Sequence, residues 1–134
     1  MMNKDTIQLN KDKIQRFIAK SKHGIHLINA TKYSCEGLYA AWQNETAFRQ
    51  LVVLHSVLFV LVWVLNLGDN TRLILIALSF LSLIIELFNT AIEATVDYIS
   101  LEKHPLAKCA KDAGSAAQML ALILLAIAWA IALF

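Results

Sequence analysis

Three long stretches leave this chain few ways to fold. Residues 51–67, LVVLHSVLFVLVWVLNL, carry no acidic or basic side chain, and as a helix they would rise about 26 Å, close to the roughly 30 Å of bilayer hydrocarbon. A second apolar run begins near Leu73 with LILIALSFLSLII and continues through Glu86 toward Asp97. Residues 113–134 offer twenty-two positions without a charged side chain. Each stretch is expected to be a membrane-spanning helix. The hydrophobic fraction of 58% agrees with this, since a soluble domain holds roughly 45–50%. With 134 residues, one all-α membrane domain with three transmembrane helices, spanning about 51–67, 73–97 and 113–134, is the predicted architecture.

The cationic side chains set its orientation. Eight of the twelve Lys and Arg precede the first span, only Arg72 separates the first two spans, and three lie between the second and third. Lys and Arg collect on the cytosolic side, so the amino terminus and the 98–112 link are expected there and the carboxyl terminus outside. The opening MMNKDTIQLNKDKIQRF has charges interspersed throughout, without the apolar core or cleavage site of a secretory signal, and is expected to be retained. Ile7, Ile14, Phe17 and Ile18 recur at helical spacing, giving an amphipathic extension over 1–25. After Gly24, residues 26–48 mix Tyr33, Tyr39, Trp42 and Phe48 with polar residues, as a helix lying in the interface does. This basic region suits anionic headgroups; no aromatic-basic surface points to nucleic acid. Cys35 and Cys109 have no metal-ligand spacing and read as packing residues. Trp42, Trp63 and Trp129 read first as belt or packing aromatics.

Chemistry concentrates on the second span. Glu86, Asn89, Glu93 and Asp97 fall at i, i+3, i+7 and i+11, within roughly an 80° arc at 100° per residue. Carboxylates in hydrocarbon are costly, so this face needs water, protein, a cation from another helix or a metal. Oxygen clusters suit hard cations such as Mg²⁺, which takes one or two carboxylates beside phosphate and water. Glu93 is a candidate ligand, and Glu45 in WQNETAFRQ could supply another if its helix folds beside the second span. Lys108, Lys111, Asp112 and Ser115 form a polar stripe ahead of the third span, where a lysine can meet phosphate or simply anchor the helix. Ala110, Gly114, Gln118 and their small neighbours permit close helix packing. His55, inside the first span, reads as an interhelical hydrogen-bonding group and is assigned no chemistry. The four glycines, at 24, 37, 68 and 114, cannot form either glycine-rich nucleotide loop.

Read together, GLYAAWQNETAFRQ (37–50), IIELFNTAIEATVD (84–97) and AKDAGSAA (110–117), in that order around three spans, resemble the prokaryotic diacylglycerol kinase family over about residues 26–134. The resemblance implies a homotrimer of three-helix subunits in the bacterial inner membrane, with a surface helix and active sites shared between subunits. It implies Glu86 as catalytic base with Asn89 as polar support, and Glu45 and Glu93 as ligands of a Mg²⁺ that accompanies ATP. Tyr33, Glu45, Glu93, Glu102, His104, Lys111 and Asp112 match the nucleotide side, and Lys103 occupies a nucleotide-side position where Tyr is usual. Ser34, Trp42, Phe48, Arg49, Gln50, Ser115 and Trp129 match the lipid side. His26, Lys103 and Cys109 depart from the residues usual in the family, and residues 1–25 precede its usual start.

The implied reaction is ATP-dependent phosphorylation of diacylglycerol to phosphatidic acid. Undecaprenol is the alternative substrate, with A-A-W-x-N-E-x-A-F-R-Q favouring the diacylglycerol branch. An ion-coupled transporter using Glu86 and Glu93 leaves the Lys111, Asp112 and Ser115 stripe without a purpose. A noncatalytic scaffold needs no carboxylates inside the membrane at all.

Overall fold

The computed structural model describes residues 29–134, so the amphipathic extension over 1–25 and His26 lie outside it. All regular structure among the described residues is helical: α1 (29–44), α2 (Thr46–Val64), α3 (Asp69–Ile99) and α4 (Pro105–Leu133). The chain divides into two units between Ala40 and Ala41. In the first, the described residues are helical and exposed, Ser34 Oγ donates to the Ala30 carbonyl at 2.9 Å, and Lys32 faces Glu36 at 3.8 Å.

The second unit contains the three long helices, each long and apolar enough to cross a membrane. A helix satisfies its own backbone groups, which is what hydrocarbon demands. This is a multi-pass membrane protein. Short links make consecutive helices antiparallel, and α4 packs along α3 more extensively than α2 does. Val62, Leu75, Leu125 and Trp129 form the apolar core at the end away from the acidic residues of α3. Fewer than a quarter of the residues in each apolar window are buried. Side chains such as Val57, Phe88 and Ile131 therefore face outward, as they do against lipid or a second subunit.

The helix boundaries differ from the sequence expectation at three places. The surface helix expected over 26–48 ends at residue 44, because Glu45 is extended (φ −109°, ψ 112°) and α2 begins at Thr46. Phe48, Arg49 and Gln50 thus belong to the first span. Arg49 holds the break: Nη1 donates to the carbonyls of Trp42 and Gln43 at 2.9 and 3.0 Å, and Nη2 to Thr46 Oγ1 at 3.0 Å. A cation on otherwise unpaired C-terminal carbonyls is a favourable helix stop. At the far end, residues 69–71 are the first turn of α3, where Asp69 suits the helix dipole. Arg72 then reaches Val62 O (3.3 Å), Leu65 O (3.5 Å) and Asp69 (3.1 Å), and lies over the Trp63 ring. It closes α2.

The third difference is the largest. The polar link expected over 98–112 shrinks to residues 100–104, because α4 starts at Pro105. Proline at N1 forgoes an N–H the helix could not pair, and His104 Nδ1 accepts from Leu106 N at 3.2 Å as the N-cap. Lys108, Lys111 and Asp112 are therefore helical.

Candidate active site along the α3–α4 seam

The acidic arc of α3 graduates from buried to exposed. Ser82 and Glu86 are buried at 0% and 4% exposure, Asn89 and Glu93 are half-buried, and Asp97 is open to solvent. No ion pair among the described residues involves Glu86 or Glu93; those in the second unit join Arg72 to Asp69, Lys108 to Asp112 and Lys111 to Asp97. On α3, Glu93 lies two turns from Glu86 on the same face. Among the described residues the cation-paired alternative is therefore realised at Asp97, which meets Lys111 of α4, and not at Glu86 or Glu93. Glu45 stands extended and half-buried at the α1–α2 break.

Cross-helix contacts fix the remaining polar groups. At Gly114, α4 approaches α3 so closely that a Cβ would strike the Asn89 amide. Held there, Asn89 Nδ2 donates to Glu93 Oε1 at 3.1 Å. Deeper in the membrane, Gln118 Nε2 donates to Ser82 Oγ at 3.1 Å, a buried pair one turn from Glu86. Toward the other end, Lys111 Nζ donates to Asp97 Oδ1 at 2.6 Å. Both partners of that pair are partly exposed, so water weakens it and a phosphate can compete for the lysine.

At the polar end of the seam, a cavity of about 680 Å³ opens between the end of α3, the 100–104 link and the start of α4. That is within the roughly 300–1,000 Å³ of small-molecule sites. Glu102, Lys103, His104, Lys111 and Asp112, five residues expected on the nucleotide side, line it together with Asp97. Its walls carry donors of both lysine and histidine type beside carboxylates.

The other candidates divide. Phe48 is buried, Trp42, Gln50 and Ser115 are exposed, and Arg49 is committed to the helix break. Trp129 is not brought to Glu86: it packs in the core with Val62, Leu75 and Leu125, fourteen residues along α4 from Ser115. Tyr33 and Ser34 are exposed within the first unit. Asp97, Gly114, Ser82 and Gln118 join the seam beyond the site residues that the sequence points to. Asp97 was already visible on the acidic arc, whereas the Ser82–Gln118 pair joins residues thirty-six apart and leaves no periodic trace.

Among the described residues, no three His, Cys, Asp or Glu converge to cage a metal. Two carboxylates completed by phosphate and water still match what a hard divalent cation accepts.

The prokaryotic diacylglycerol kinase profile matches residues 32–133, more than half of the chain. The chain belongs to this family. Among members of the diacylglycerol kinase family, the enzyme named diacylglycerol kinase from Pseudomonas aeruginosa is 52% identical over 104 residues, covering 78% of this chain and 85% of its own. The Escherichia coli K12 diacylglycerol kinase is 45% identical over 108 residues, covering 81% and 88%. That of Haemophilus influenzae is 42% identical over 109 residues, covering 81% and 92%.

Proposed function

We infer that this protein is a membrane lipid kinase that transfers the γ-phosphoryl group of ATP to diacylglycerol, giving phosphatidic acid and ADP. The observation that carries the mechanism is the buried Glu86 carboxylate, without a cation partner, below the polar cavity. The lipid primary hydroxyl attacks the γ-phosphorus, the bond to the ADP oxygen breaks, and the hydroxyl proton passes to Glu86. Asn89 orients Glu93 through its amide. Glu45 and Glu93 would hold Mg²⁺, which when bound offsets the charge on the phosphates. The cavity around Glu102, His104, Lys111 and Asp112 receives the nucleotide, and Lys111 exchanges Asp97 for phosphate oxygens. Lys103 adds a further cation to that wall.

The outward apolar surface and the carboxylates without a cation partner among the described residues support a homotrimer in which a neighbouring subunit completes each site, with Trp42, Arg49, Gln50 and Ser115 contributing at its margins. The cationic link orients the site to the cytosol of the inner membrane, with the amino terminus on the same side. Purified protein given Mg-ATP and diacylglycerol should form phosphatidic acid and ADP in equal amounts, and sealed vesicles should do so only with ATP on the cytosolic face. ADP without phospholipid, or turnover with ATP on the opposite face alone, rejects the reading.

The carboxylate pair makes a separate prediction. Glu45→Gln and Glu93→Gln should each shift the Mg-ATP titration to higher concentration while diacylglycerol titrations change less. Unchanged metal and ATP dependence in both variants would remove the two residues as ligands.

A further inference from the structure

His55 is the tenth residue of the nineteen in α2, near the middle of the membrane, and only 5% exposed. Neither ring nitrogen has a hydrogen-bond partner among the described residues. Imidazolium is costly at that depth, so the ring is neutral, with one N–H to give and one lone pair to accept. A buried donor without an acceptor is expensive, and apolar packing alone does not account for a histidine here.

The ring lines a groove of about 480 Å³ between α2 and α3. Most of the wall is apolar, including Phe59, Phe80 and Leu83. Its serines are already engaged: Ser56 Oγ donates to Val52 O at 2.7 Å and Ser79 Oγ to Leu75 O at 2.8 Å. With those hydroxyl protons committed, His55 supplies this wall with an N–H donor that is not already engaged among the described residues. On α3, Ile76, Ser79 and Leu83 continue at helical spacing into Glu86, so the groove follows the face that carries the proposed base.

The register gives the distance. Arg72 bonds to Val62 O, and seven residues from each lie Ser79 and His55, both on the groove. Glu86 is seven residues beyond Ser79, about 10 Å at 1.5 Å per residue. Helical side chains lean toward their own N-terminus, and α2 and α3 run in opposite directions, so the two side chains lean toward one another and their offset along the helix axes is less than that. In a diacylglycerol, a few covalent bonds, roughly 5 Å, separate the free hydroxyl from the nearest ester carbonyl.

We propose that the α2–α3 groove seats an acyl chain of the lipid substrate and that His55 donates a hydrogen bond to its ester carbonyl, a positioning role that selects ester-linked lipid alcohols. This rests on the kinase reading and adds a basis for discrimination: dialkylglycerol ethers and polyprenols carry the hydroxyl but no carbonyl. The experiment compares kcat and KM of the purified full chain with Mg-ATP on a diester, a diether of equal chain length and a long-chain prenol.

The wild type should favour the diester over the diether by about tenfold in kcat/KM, the effect of one desolvated hydrogen bond. His55→Leu should bring that ratio to near one, mainly by raising KM for the diester. His55→Gln, which keeps an N–H donor, should retain most of the preference. A wild-type ratio of one, or a His55→Leu enzyme with the wild-type ratio, overturns the proposal while leaving the kinase intact. So does a His55→Leu protein whose subunit number changes and whose ratio does not, since that assigns the ring to contact between copies. No phosphorylation of any of the three lipids by the wild type rejects the kinase reading itself.

Discussion

Glu86→Gln should slow phosphoryl transfer by about 10² to 10⁴, the usual cost of removing a general base, without disturbing assembly. Glutamine keeps nearly the shape of glutamate and can still hydrogen-bond, but it cannot take the hydroxyl proton. Glu86 is buried in the seam, and exchanging its carboxylate for an amide breaks no ion pair among the described residues. Single-turnover transfer at saturating Mg-ATP and diacylglycerol isolates the chemical step from binding, with subunit number as the control for folding. Near-normal transfer by an assembled Glu86→Gln protein would remove it as the base and leave lipid positioning as its role.

The second large effect is structural and lies across the seam. Gly114→Leu places a branched side chain where even a Cβ would strike Asn89. Overpacking of that kind costs about 1–3 kcal/mol, and here it also forces Asn89 away from Glu93. Unfolding by denaturing detergent in mixed micelles should show the loss of stability, and phosphoryl transfer should fall at least tenfold with it. Gly114→Ala offers a finer comparison. Combined with Asn89→Ala, it should recover stability because the colliding amide is gone, yet not recover full activity, because Glu93 still lacks its partner. If Gly114→Leu is as stable and active as the wild type, α3 and α4 do not meet closely at this point.

Relations within one segment were readable before any coordinates. The three spans follow from the length and apolarity of their segments, because hydrocarbon admits so few backbone arrangements. The grouping of Glu86, Asn89, Glu93 and Asp97 follows from 100° per residue, which holds wherever a helix forms. The start of α4 was within reach as well: His104 and Pro105 are a cap and an N1 proline, but the charges around them resemble a loop when they are weighed by polarity alone.

The tertiary structure decided which groups meet across helices. Asn89 against Gly114, Gln118 with Ser82, and Lys111 with Asp97 depend on the rotation and registry of α3 and α4. The stop at residue 44 depends on Arg49 reaching back over the turn. His55 shows the difference at a single residue: its sequence position implies an interhelical hydrogen bond, and packing buries the ring beside a groove with no partner for either nitrogen among the described residues. Hydrophobic periodicity specifies how a helix divides its own surface. It carries no information about how far one helix is rotated or shifted against the next, and polar pairing is sensitive to shifts of an ångström.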